Sequence, residues 1–199
     1  MGFASIIDVL GSIAIGGFLM LTLFRMNSAS AENTYHYTGE LTVQESMVSI
    51  VKLLEYDFRK IGYCEDPTKL TPSKAITYAD TSDITFLYDV DFDGDVDVVR
   101  YYLGPASDLT ETPNPDDRML YRSVNGNSVA ANLGVTRFYI TYYGYVVGTP
   151  LDVPITAAPT GILSMQIDIR VENTAAFGDE YRYAYWRQVR LSSRNLYNR

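Results

Sequence analysis

The chain has one cysteine, one histidine and one tryptophan in 199 residues, and no proline before Pro67. A lone Cys64 rules out an internal disulfide and a cysteine-built zinc cluster. A bridge would have to join two chains, and the residue reads instead as a small buried hydrophobe. With His36 also solitary, Ser-His-Asp triads and imidazole-bound metals lack their parts, so the chain is read as a non-enzyme. Basic residues are outnumbered 16 to 24 by acidic ones, for a net charge of −8 and a pI near 4.6. Neutralising a phosphate backbone takes clustered Lys and Arg, so no nucleic-acid partner is expected. The missing prolines matter differently: nothing before Pro67 obliges a helix to stop.

What is present begins with an apolar run from Gly2 to Phe24, interrupted by one carboxylate, Asp8. A helix crossing the hydrocarbon core needs roughly 20 such residues at about 1.5 Å each, and this run is long enough. A secretory signal peptide would start with basic residues, carry a shorter apolar region and close on a small-residue cleavage site; here no Lys or Arg precedes Arg25. Placing an ionised Asp in lipid costs about 3 kcal/mol and is tolerated where it finds a partner. An α-amino group, the chain's own or a neighbour's, is the natural one for Asp8. The plainer reading puts Asp8 just inside the headgroups, as a favourable charge on a helix N-terminus.

Past Arg25 the residues are polar and small, and from Val43 apolar side chains return at helical spacing: Val43, Met47, Ile50, Val51, Leu54, Phe58 and Ile61. Glu45, Lys52, Glu55, Arg59 and Lys60 fall mostly on other faces. Gly62 is placed to end this helix, with Pro67 soon after, while Gly16-Gly17 and Gly39 are the points where it would melt or kink. One helix from Phe3 to Ile61 would be on the order of 90 Å long. Seventeen Tyr and eight Phe point to strands for the remainder. The runs are 75–79, 84–88, 96–103, 119–124, 135–145, 162–171 and 181–191. Asn125-Gly126 is a hairpin signal, and 104–117 and 148–161 read as long loops. The expected fold is α+β, a long N-terminal helix with an apolar first half and an amphipathic second half packed on an antiparallel sheet. Residues 1–40 would form the anchoring half of the helix. Residues 41–199 would form a globular domain, with amphipathic helix at 41–62 and the sheet within 70–199.

A Gly-Phe start, an apolar helix with an early acidic residue, an amphipathic helix closing on Tyr56-Asp57-Phe58-Arg59-Lys60-Ile61-Gly62-Tyr63, and then strands, together resemble the type IV pilin and type II secretion pseudopilin superfamily. The segment after Leu54 and the C-terminal Val189-Arg190-Leu191-Ser192-Ser193-Arg194-Asn195-Leu196 look most like its larger minor pilins and pseudopilins. The resemblance implies a subunit held in the inner membrane and then assembled, with copies of itself or other pilin-like subunits, into an extracellular filament cored by these helices. In that family a leader is cut after a glycine, which maps processing onto Gly2 and Phe3. An acidic residue there neutralises a neighbour's N-terminal amine, which makes Asp8, with Phe3, the assembly residues. Two positions depart from the pattern: the acid is Asp rather than Glu and lies one place late, and only Met1-Gly2 precedes Phe3. Arg25, the one nearby basic residue, weakly favours keeping the C-terminal side in the cytoplasm, opposite to the family's topology.

Asp89-Val90-Asp91-Phe92-Asp93-Gly94-Asp95-Val96-Asp97 carries carboxylates on alternate residues with a glycine after the third. In an EF-hand-type loop, positions 1, 3 and 5 donate side-chain oxygens, glycine at 6 allows the turn, 7 gives a carbonyl and 9 acts through water. At position 12, where that loop has Glu, this chain has Arg100, and strands rather than helices flank it. Asp89, Asp91, Asp93, Asp95 and Asp97 are the expected ligands of a structural Ca²⁺, hard oxygen donors being unsuited to zinc. The plain alternative is an acidic, solvated hairpin. Tyr101-Tyr102, Phe138-Tyr139, Tyr142-Tyr143, Tyr145 and Tyr181 to Trp186 are explained mostly by sheet packing, with subunit contact or glycan binding open for some. The functional expectation is a filament subunit, bulk or minor; the alternative is a membrane-anchored, calcium-dependent binding module.

Overall fold

The computed structural model describes residues 2–146, 148–156, 161–174 and 181–196; the side chains of residues 2–5, 72, 189, 190 and 194 lie outside the described set. The expectations placed on Gly2 and Phe3 concern those side chains and so lie outside it too. The fold is α+β. Helix α1 (Gly2–Arg59) precedes seven strands, β1 (Ile76–Ala79), β2 (Asp83–Tyr88), β3 (Asp97–Leu103), β4 (Arg118–Val124), β5 (Asn127–Tyr143), β6 (Ser164–Glu172) and β7 (Tyr183–Leu191). They form one sheet whose spatial order is the chain order, every neighbouring pair antiparallel. The helix passes through Gly16, Gly17 and Gly39 without interruption. Two compact units are distinguished, residues 1–39 and 40–199.

In the second unit, Val43, Met47, Ile50, Leu54 and Phe58 of α1 are buried in one core with Ile84, Phe86, Val99, Ile140, Ile167 and Ile169 of the sheet. The period-2 text of β2 does the same from the other side, with Ile84, Phe86 and Tyr88 inward. Phe58 meets Phe86 edge to face, centroids 5.2 Å apart, and a side chain buried this fully contributes about 1.5–3 kcal/mol.

The α-helix closes at Arg59, earlier than the glycine that was expected to end it. The Lys60 N–H reaches only to the Asp57 carbonyl at 3.0 Å, and Gly62, at φ +79°, donates instead to the Leu87 carbonyl on β2 at 2.9 Å. The freed helix-end carbonyls are covered from the far end of the chain, where the Ser193 hydroxyl donates to Arg59 (3.1 Å) and Ile61 (2.7 Å).

Strand β5 starts at Asn127 rather than at Val135 because Asn125 and Gly126, at φ 51° and 84°, turn the chain tightly and pair Val124 with Asn127. Residues 127–130 are exposed, so the hydrophobic alternation that marks the rest of β5 is absent there. The 148–156 segment is better anchored than a free loop, since Ile155 exchanges two hydrogen bonds with Ala79 (3.1 and 2.8 Å) and covers the outer edge of β1.

Gly134 lies within the β4–β5 register shift, just before the β5–β6 one, at φ +70°, where an added Cβ would stand 2.2 Å from the Glu172 carbonyl oxygen. Backbone, not a flexible side chain, blocks that space. Gly134→Ala is expected to lower unfolding free energy by roughly 2–4 kcal/mol from strain plus overpacking. Urea titration reads this directly, and a midpoint equal to wild type would show that β5 relaxes freely.

Candidate functional site

In the first unit every described residue from Ile6 to Tyr35 is exposed. The apolar stretch contains an 18-residue window of mean hydropathy 2.1, none of it buried. The helix is thus long and apolar enough to span a membrane, and its apolar surface is consistent with anchoring there. Two hydroxyls in the stretch are satisfied by the helix itself, Ser12 donating to the Val9 carbonyl and Thr22 to that of Phe18, both at 2.9 Å. Among the described residues Asp8 has no hydrogen-bonded or ionic partner, which makes it the polar outlier of an otherwise lipid-compatible surface.

The acidic loop links β2 to β3. Asp89 is fully buried, and its carboxylate accepts from the backbone N–H groups of Phe92 (2.7 Å), Gly94 (3.0 Å) and Glu65 (3.2 Å). Left-handed conformations at Phe92 (φ 64°) and Gly94 (φ 82°) fold the loop round it. Burial pushes the Asp89 acid up, but the amides of Glu65, Gly94, Phe92 and Asp93 outweigh it and hold the group below the usual carboxylate range. Asp97 accepts from the Val90 N–H (2.8 Å) and from the Asn125 side-chain amide (2.6 Å), which ties the loop to the β4–β5 turn. One carboxylate oxygen each from Asp89, Asp91 and Asp97 lies within 4.8 Å of the others. Asp93 and Asp95 stand outside that triad: Asp93 accepts the Asp95 N–H at 2.8 Å, and Asp95 pairs with Lys69. Three converging oxygens with no nitrogen or sulfur donor among them suit a hard cation such as Ca²⁺ or Mg²⁺. Cys64 is buried beside this loop, its thiol donating to the Gly94 carbonyl at 3.5 Å and pushed up in pKa by burial.

Beneath the sheet sits a polar group that pattern reading did not single out. Asp57, fully buried on α1, accepts from the hydroxyls of Tyr88 (2.6 Å, β2) and Tyr101 (2.5 Å, β3) and from Nε of Arg122 (2.7 Å, β4). Both phenols are pushed up, by burial first and then by the Asp57 charge. The signal was available: Asp57 stands three residues after Leu54 and seven after Ile50, on the apolar stripe itself.

The tyrosines divide between the faces of the sheet. Tyr88, Tyr101 and Tyr142 belong to the core. Tyr102 stacks on Tyr121 at 4.8 Å, and Arg100, Arg137, Arg170 and Arg187 lie over Tyr102, Tyr139, Tyr183 and Tyr185. Asp168, the cross-strand partner of both Tyr139 and Arg187, accepts from Tyr185 (2.5 Å) and Gln166 (2.9 Å) and pairs with Arg187. Burial raises its pKa, yet these three partners bring it below the ordinary value.

No family model, curated protein or solved structure matches this chain.

Proposed function

We propose that this protein is a structural subunit of a type IV pilus-like extracellular filament, held in the inner membrane before assembly. Its N-terminal helix would build the filament core and its β-domain the surface. The observation that carries this reading is the unburied apolar helix with a single carboxylate: a surface of mean hydropathy 2.1 needs lipid or other helices around it, and Asp8 needs a cation. The resemblance of Tyr56 to Tyr63 to the larger minor pilins favours, as a second reading, a subunit that primes or caps a filament of other pilins. Electron cryomicroscopy of filaments sheared from producing cells separates them. Filaments built of this chain alone support the bulk subunit. Its presence only at an end supports the minor one, and its restriction to membranes as a monomer defeats both in favour of an anchored binding module.

The same proposal assigns Ca²⁺ to the Asp89–Asp97 loop, where it would fasten β2 to β3 and neutralise crowded carboxylates. Binding to the native state alone stabilises by about 2.7 kcal/mol at a hundredfold excess over Kd. For a chain of this size that is roughly 5–10 °C in Tm. Chelation of the full chain in detergent is expected to lower Tm by that amount, and an unchanged value removes calcium from the proposal.

A further inference from the structure

Among the described residues, the buried side-chain oxygens that lack a hydrogen-bonded partner are those of Asp117 and Thr136. Asp117 is 1 % exposed, just before β4. The Thr112 hydroxyl and the Arg118 N–H are near enough to draw its pKa down somewhat, but neither makes a hydrogen bond of ordinary geometry. Thr136 follows Val135, the cross-strand partner of both Arg118 and Val171. Glu172, 8 % exposed at the end of β6, is the second carboxylate here. Asn114 joins them: its side-chain amide donates to Glu172 Oε2 at 3.0 Å and to the Asn173 carbonyl at 3.3 Å, while its own carbonyl accepts the Asp117 N–H at 3.3 Å. Arg170 Nε holds Glu172 Oε1 at 2.8 Å.

We propose that Asp117 and Glu172 hold a hard divalent cation of the calcium class, with the Thr136 hydroxyl as a further oxygen ligand. A buried carboxylate with no well-formed hydrogen bond costs several kcal/mol and persists only when something compensates it. Arg170 and Asn114 use one lone pair on each Glu172 oxygen and leave the others free, a carboxylate having about four such sites. The Arg170 charge offsets one of the two acids, so the cluster keeps a net negative charge that a cation would neutralise. Burial, together with the Glu172 charge, drives the Asp117 acid upward, which is the repulsion an ion relieves. All the donors are oxygen, and the chain's single Cys64 and His36 lie elsewhere in sequence, which selects calcium or magnesium over zinc. Such an ion would tie the 104–117 segment to β5 and β6, away from the β2–β3 loop.

The test uses the full chain in detergent with CaCl₂ as the sole added ligand. Asp91→Asn with Asp97→Asn strips two of the three loop carboxylates. The calcium-dependent rise in Tm is expected to survive in that double variant and to vanish when Asp117→Asn is added. Loss of the whole rise in the double variant, or its survival in the triple one, overturns the proposal. In the latter case Asp117 is a neutral acid, and Asp117→Asn alone would leave Tm unchanged or raise it. If Asp117→Asn prevents folding, Thr136→Val takes its place. The calcium concentration for half-response should then rise about tenfold, and an unmoved midpoint overturns the assignment.

Discussion

Arg122→Met should destabilise the β-domain by about 3–5 kcal/mol, the cost of leaving a buried carboxylate without its cation. Asp57 is sealed from water on α1, and among the described residues Arg122 is the one cation bonded to it. The Tyr88 and Tyr101 hydroxyls would remain as donors, but two neutral donors do not replace a guanidinium whose Nε stands 2.7 Å away. The side chain of Arg122 is itself only 24 % exposed, so its stem also fills space that methionine keeps. That makes the substitution a test of charge more than of volume. Asp57→Asn should cost less, since the amide oxygen still accepts from the tyrosines and the freed Arg122 can turn to water. Urea unfolding followed through the single Trp186 would measure both. A loss below about 1 kcal/mol for Arg122→Met would mean that the tyrosines alone carry the Asp57 charge.

This network explains what was and was not legible in the chain. Strand positions followed from alternation because a half-buried sheet writes its two faces into neighbouring residues, as Ile84, Phe86 and Tyr88 do. The helix was legible for the same reason, its stripe from Val43 to Phe58 facing one core. Buried polar groups leave no comparable period. Asp57 finds Arg122 across 65 residues, and Asn114 finds Glu172 across 58, through a topology that one local window does not contain. The acidic loop stood out as composition, yet composition did not separate Asp89, Asp91 and Asp97, which converge, from Asp95, which turns to Lys69. Which carboxylates meet depends on the left-handed residues Phe92 and Gly94 and on where β4 brings Asn125. The glycine could be anticipated as a turn former; the phenylalanine could not.

If the chain assembles as proposed, Asp8→Ala is expected to abolish filaments while leaving the β-domain as stable as before. The apolar helix surface is fully available for burial against neighbours, so packing alone would be indifferent to one small side chain. In the proposed assembly Asp8 matters because it compensates a neighbouring subunit's amine, and an ammonium left unpaired among apolar helices once the carboxylate is gone costs about 3 kcal/mol. A loss of that size for each subunit added raises the concentration needed for assembly by about two orders of magnitude. Growth in the membrane would stop without any change in the fold. Asp8→Glu should restore filaments, because it keeps the charge and moves it by one methylene, whereas Asp8→Asn should not. Counting sheared filaments by microscopy, with unfolding of the β-domain as the control, distinguishes pairing from misfolding. Filaments of normal number and length in Asp8→Ala would show that Asp8 sits among the headgroups as a charge on the helix N-terminus, and that helix burial by itself drives assembly.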